Sequence, residues 1–294
     1  MAMAQSPAIF GEVLFDCFED GSRVLGGAPF NVAWHLQAFG CKPTLISRVG
    51  DDPMGRQIRD TMLQWGMSAA GLQLDPERAS GEVQVRLQSG QPSFDIVADR
   101  AYDHIDASVI PPLTPSLIYH GTLALRHADS AAALNQLLQL YPAAPVFMDV
   151  NLRQPWWNLD QTLKMLDRAE WVKVNDVELE ILVDEPAALS AKAERLMQRH
   201  DLGWLIVTQG KEGAICLDRA GNLLESNPVA EVKVVDTVGA GDAFASVCIL
   251  GLHRDWPYGL IIERAQHFAA LLVGSRGATL NDPQKYSALL AEWQ

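Results

Sequence analysis

Short β-branched runs alternate along this chain with longer stretches of helical period. The runs AIFGEVLFD, TLISRV, SLIYHG, APVFMDV, EWVKV and WLIVTQG read as strands. Between them, residues 31–39, 54–65, 130–140, 161–169 and 187–200 read as helices. This alternation predicts βαβ units around a mostly parallel sheet, and the nearly all-apolar strand runs predict helices on both of its faces. The last third turns helical, over 240–252, 258–273 and 284–293. One stretch breaks the rhythm. Residues 81–98, GEVQVRLQSGQPSFDIVA, set Val83, Val85 and Leu87 against polar neighbours and turn at Ser89 and Gly90. They predict a hairpin with one apolar and one wet face, which an early strand near Val24 can join. It is either an edge decoration or a small lid over a site or a partner. Without a linker or an internal repeat, the expectation is one α/β domain over 1–294, with a lid insertion at 81–98 and a contribution from 17–25.

Composition narrows the partners. With 294 residues, 48% of them hydrophobic, the chain is long enough for a sizeable core. Its 23 basic and 36 acidic residues leave a net charge of −13, which sets it against nucleic acid or anionic lipid as a main partner. An anionic substrate then needs a local exception, an arginine or a helix N-terminus. No basic leader is visible, and the best apolar run, AFASVCILGL, is 10 long against the ~18 needed to span a bilayer. Cys17, Cys41, Cys216 and Cys248 form no C-x-x-C pair, so reduced thiols and a cytoplasmic location are expected. The seven histidines show no paired spacing and are assigned no chemistry.

Two segments carry chemistry. In VKVVDTVGAGDAF a strand is expected to end at Asp236, followed by a glycine-rich turn and an apolar helix. Gly239, Ala240 and Gly241 permit close backbone approach, and the free amides of a helix start attract anions. A carboxylate there, Asp242, repels phosphate; it makes sense as a base for an attacking hydroxyl, or else as a helix cap. The G-x-G-x-x-G of dinucleotide folds is broken by Phe244, and no Walker-type loop occurs. In LGGAPFNVAWHLQAFG, Gly26 and Gly27 open a helix and are either a turn or a close-approach site. Asn31, donor and acceptor at once, suits a polyhydroxylated ligand.

The pair GGAPFNVAWHLQAFG and DTVGAGDAF resembles the two motifs of the PfkB (ribokinase-like) sugar kinase family. GEVLFD, SRVGDDPMG, DVNLR, NDVE and TQGKEGA extend the resemblance over residues 9–292. The GGAPFNVA and DVNLR forms are most similar to fructokinases and 2-keto-3-deoxygluconate kinases. The resemblance implies a Rossmann-like α/β fold with a β lid, and an ATP-dependent kinase acting on a primary hydroxyl of a small sugar, fructose first. The alternatives are a sugar-acid kinase, a nucleoside or vitamin kinase, or a catalytically silent binding protein; an intact GAGD argues for turnover.

The resemblance also implies roles by position. Asp242 is the base, and Gly239, Ala240 and Gly241 are the anion hole. Asp16, Gly26, Gly27 and Asn31 hold sugar hydroxyls, and Arg153 contacts phosphate. Asn175 and Glu178 organise Mg²⁺ through water, and Thr208, Gly210 and Gly213 line the ATP side. Arg100 and Tyr102 lie where substrate is often contacted, while Asp236 and Val238 begin a loop that binds K⁺ in some members. Read by themselves, Asp16 is a strand-end polar residue, Asn175 and Glu178 a helix start, and Arg153 a surface ion-pair partner. Trp156 and Trp157 read as a pocket wall or as packing. The apolar face of the lid needs cover, either from its own chain with the sugar or from a second copy in a homodimer.

Overall fold

A computed structural model describes residues 5–88, 91–226 and 233–293. The expected turn at Ser89 and Gly90, and the side chain of Leu87, lie outside the described residues. Its strands, in chain order, are β1 (Ser6–Phe10), β2 (Leu14–Phe18), β3 (Arg23–Gly26), β4 (Thr44–Gly50), β5 (Leu72–Asp75), β6 (Gly81–Gln88) and β7 (Gln91–Ile96). There follow β8 (Pro115–His120), β9 (Val146–Asp149), β10 (Trp171–Asn175), β11 (Trp204–Thr208), β12 (Ala214–Asp218) and β13 (Leu223–Ser226). The helices are α1 (Ala28–Ala38), α2 (Pro53–Gln64), α3 (Ala128–Leu140), α4 (Leu159–Leu166), α5 (Asp176–Leu182), α6 (Leu189–His200), α7 (Ala240–His253), α8 (Tyr258–Val273) and α9 (Pro283–Glu292).

The main sheet runs β13-β12-β11-β10-β9-β8-β1-β4-β5, parallel except at β11–β12 and β12–β13. Strand side chains alternate between two cores: Phe147 faces α1, α7 and α8, while Met148 faces α4, α5 and α6. The chain leaves β1 for β4 and β5 on one side, then returns to build β8 to β13 on the other. The crevice beyond the ends of β1 and β8 is therefore the switch point where open α/β sheets receive ligands.

AIFGEVLFD does not form the single strand expected. Gly11 has φ 147°, and a Cβ there would meet Pro29 Cγ at 2.5 Å, so the chain bends out of the main sheet after Phe10. β2 then joins a second sheet in the order β3-β2-β6-β7, which is the lid with its expected contribution from residues near Val24. Asp16 consequently sits inside a lid strand and does not close the first one. Nor is there a strand over 233–236; the amides of Val235 and Asp236 both donate to Val273 O, at the end of α8. β5 was not anticipated, being four residues long with Leu74 exposed.

The register Asp16↔Val24, Asp16↔Val83, Phe18↔Val85 and Val85↔Phe94 puts these residues on one lid face. Val83 and Val85 are covered within the chain, packing with Leu14, Tyr102, Leu123 and Ala124. Phe18, Val24 and Phe94 on the same face stay exposed. Of the two covers open to Val83 and Val85, their own chain supplies one.

Candidate active site

At the start of α7 the backbone turns left-handed at Gly239, φ 79°, where a Cβ would fall 2.5 Å from Ala278 Cα. Gly239 caps the helix, so Asp242, in its first turn, is free of that task. Its Oδ2 instead accepts Asn31 Nδ2 at 2.8 Å, across 211 residues of sequence. Burial, above all, pushes the Asp242 carboxyl up to about 6; the Asn31 bond opposes this, the Asp149 charge adds to it, and Lys173 and Arg153 oppose it. The amide of Ala240 is taken by Thr237 O at 3.3 Å, which removes it from the expected anion hole. Among the described residues the amides of Gly241 and Asp242 have no partner. They are the open donors of this helix start.

The sugar-side set converges. A Cβ placed on Gly26 would lie 3.8 Å from Asp16 Oδ2 and 4.0 Å from Asn31 Oδ1. Gly27, φ 107°, needs its lack of a side chain because a Cβ would come within 2.8 Å of Glu12 O. Asp16 makes no side-chain hydrogen bond among the described residues, and burial pushes its carboxyl up to about 6. Asn31 Oδ1 is buried and unpartnered, as are Glu12 Oε2, Tyr102 Oη and Tyr119 Oη. Such orphaned atoms are costly unless a polar ligand satisfies them.

On the phosphate side, Arg153 is exposed, and among the described residues no carboxylate lies within ion-pair distance of it. Its charge reaches both Asp242 and Glu12. Asn175 and Glu178 form a complete capping box at α5: Asn175 Oδ1 accepts Glu178 N at 2.8 Å and Glu178 Oε2 accepts Asn175 N at 2.9 Å. Glu178 Oε1 also takes Leu152 N at 2.8 Å, tying this helix start to the DVNLR loop. With one amide on each oxygen, Glu178 keeps lone pairs for a hydrated cation and fits Mg²⁺ held through water. Thr208 ends β11 opposite Asn175, and the exposed Gly210 and the tightly packed Gly213 (Cβ to Ser226 O 2.6 Å) make the following turn. Asp236 Oδ1 accepts Val238 N and Oδ2 accepts Gly277 N, both at 3.0 Å, so its visible work is to hold the loop behind Gly239.

Arg100 does not reach the sugar set, while Tyr102 lies under the lid face that carries Asp16, its unpartnered Oη within range of the Glu12 charge. Arg100 Nη2 pairs with Glu82 Oε2 at 3.2 Å, and Glu82, opposite Phe15, lies on the lid face turned away from Asp16. Tyr102 is buried beneath the lid. Three features escaped the sequence. Lys173 Nζ bonds both oxygens of Asp149, at 2.8 and 2.9 Å, in a buried pair. That ammonium would stand 3.5 Å from a Cβ on Gly241. Burial works to lower Lys173, but the Asp149 carboxylate outweighs it and the net shift is upward. Glu12, 3% exposed, is pushed up to about 7 by burial, with Asp242 adding. Arg126 grips Asp103 at 2.7 and 2.8 Å under Trp156, whose ring lies 4.5 Å from the guanidinium, so Trp156 packs the lid's root. A lysine within the apolar run EWVKV was the one visible signal among these.

The model of the pfkB family of carbohydrate kinases matches residues 14–285. A fructokinase of Klebsiella pneumoniae is 32% identical over 258 residues, covering 83% of each chain. One from Escherichia coli is 27% identical, covering 92% of this chain and 94% of its own. In fold, the chain is similar to a fructokinase from Vibrio cholerae solved with fructose, ADP and calcium ion, at TM-score 0.84, 22% identity and 99% coverage of both chains. It is also similar to a fructokinase from Xylella fastidiosa with bound ATP, at TM-score 0.87, 22% identity and 98% coverage of both. Among the described residues no helix is long and apolar enough to cross a membrane.

Proposed function

The chain belongs to the pfkB family of carbohydrate kinases, phosphotransferases with an alcohol group as acceptor, and from that premise we propose that it transfers the γ-phosphoryl group of ATP to a primary hydroxyl of fructose. The observation that carries the reading is the Asn31–Asp242 bond at 2.8 Å. It joins the sugar-side motif to the anion-binding helix start, so the acceptor hydroxyl and the phosphoryl group meet at one carboxylate. Gly26 keeps the space between Asp16 and Asn31 open, and those two groups grip sugar hydroxyls there. Asp242 takes the proton of the hydroxyl as its oxygen bonds to the γ-phosphorus, and the bond from that phosphorus to the bridging oxygen breaks to release ADP. The amides of Gly241 and Asp242, with Arg153, receive the charge that develops on the phosphoryl oxygens. Glu178, aligned by Asn175, would hold Mg²⁺ through water, and the ion would supply charge neutralisation at the phosphates. The fructokinase relatives support fructose as the sugar.

Asp242→Asn is the test of the base. Turnover should fall ~10²–10⁴-fold while ATP binding survives. Turnover within a few-fold of the parent would remove Asp242 from that role. An ADP-release assay over ketoses, aldoses, keto-deoxy acids and nucleosides tests the sugar, with fructose expected to show the highest kcat/KM. A higher value for a sugar acid would overturn fructose while leaving the kinase chemistry intact.

A further inference from the structure

Outside the lid's root, His104, His127 and Asp129 hold donor atoms within 4.8 Å of one another. His104 Nδ1 lies 2.7 Å from Asp129 Oδ2, and His127 Nδ1 lies 3.7 Å from the same oxygen. The two imidazole centroids are 4.2 Å apart. His127 Nδ1 accepts the Asp129 amide at 3.3 Å, so that nitrogen is the one with a lone pair, and an ion would take it over in exchange for this long bond. The far nitrogen of His104, Nε2, lies 2.7 Å from Asp99 Oδ1. A carboxylate on one imidazole nitrogen, leaving the other for an ion, is how ligating histidines are ordinarily oriented.

We propose that His104 Nδ1, His127 Nδ1 and Asp129 Oδ2 form a binding site for a divalent transition-metal ion, zinc being the best match, with Asp99 as the outer carboxylate. A tetrahedral ion with bonds of about 2.0–2.2 Å spaces its ligands about 3.3–3.6 Å apart. The observed 2.7 and 3.7 Å bracket that spacing, so small side-chain movements close the set. Side chains of Asp129 and His127 that are 57% and 44% exposed leave a position for water and a path of entry. The nearby cations are already engaged: Arg78 Nε lies 3.4 Å from Asp99 and Arg48 Nη1 donates to His104 O, and both guanidinium groups also pair with Asp75. Two imidazoles and one carboxylate suit zinc and not Mg²⁺, which takes oxygen ligands. Spacings of 23 and 25 residues around His104 hid the set in the sequence.

Calorimetric titration of the whole chain with Zn²⁺, in excess Mg²⁺ to occupy oxygen sites, should give one equivalent bound. Co²⁺ in its place should give the intense visible absorption of a tetrahedral ion. His127→Ala removes an accessible ligand and should abolish that equivalent. Asp99→Asn suits its left-handed backbone (φ 52°) and should weaken Zn²⁺ binding about 10–100-fold. Free of zinc, both variants should phosphorylate sugar like the parent in Mg²⁺ and ATP, which shows them folded. No bound equivalent, an octahedral Co²⁺ spectrum, or undiminished binding by both variants would each overturn the site.

Discussion

Asp242 answers to two opposed demands, and a single substitution separates them. As a base it must be ionised at working pH; as a half-buried group facing the Asp149 charge it resists ionisation, and its carboxyl is pushed up to about 6. kcat/KM should therefore rise through about pH 6 and level off above it, a trend that Asp242→Asn abolishes. The same variant cannot ionise, so near pH 7.5 it should unfold at higher temperature than the parent, by roughly 1–3 kcal/mol of stability. Calorimetry showing a lower melting temperature would mean that the carboxylate is held favourably. Gly26 makes a second residue-scale case. A methyl there has ordinary contacts of 3.8 and 4.0 Å to Asp16 and Asn31, so Gly26→Ala should fold normally. The methyl occupies the space assigned to the sugar; the sugar KM should rise at least about tenfold with the ATP KM unchanged. Equal changes in both would place the sugar elsewhere.

Among the elements, the lid separates burial from association. Val85→Asp puts a carboxylate under Tyr102 and Leu123, and should cost at least about 2 kcal/mol and raise the sugar KM in a single chain. Phe94→Asp touches only an exposed position and should leave the melting temperature near that of the parent. If the lid pairs with a second copy, the exposed row of Phe18, Val24 and Phe94 is what it uses. Light scattering would then show twice 32.2 kDa for the parent and a single chain for Phe94→Asp. A parent at 32.2 kDa removes the lid dimer. What was legible beforehand follows the same division. Helical period exposed α7 and α8 almost to the residue, and alternation exposed β6, because each depends on local pattern. The bend at Gly11 was not legible, since its cause is Pro29, eighteen positions on and touching only in the folded chain. Nor was Asp149–Lys173, where each partner looks like an isolated polar residue in its own strand.

For the molecule as a whole, four carboxyls at the site share one direction of shift. Asp16 and Asp242 are raised to about 6, Glu12 to about 7, and burial pushes Glu178 up as well. Raised carboxyls stabilise the fold below their unfolded values and lose that contribution as pH rises through their folded ones. Between about pH 4 and 7 these carboxyls hold protons that the unfolded chain has released, while the buried His35 and His120, lowered to about 3 and 4, have released protons that the unfolded chain still holds up to about pH 6.5. The two sets oppose each other, so the carboxyl part is read as a difference: from pH 5.5 to pH 8 the melting temperature of Asp242→Asn should gain on that of the parent while the parent's kcat/KM climbs. Scanning calorimetry in the absence of ligand checks this, and an equal change in the two proteins would contradict it.

The 2.8 Å bond between Asn31 and Asp242 has a consequence for how the chain comes into being. Its partners are made 211 residues apart, so a ribosome building this chain has released the sugar-side motif long before the base exists. A nascent chain short of α7 can lay down β1 to β11 and still hold an idle half-site. Cut at an exposed turn before α7, the two fragments would each be silent, and sugar phosphorylation would return only where they reassemble. The enzyme would thereby become a reporter of its own completion.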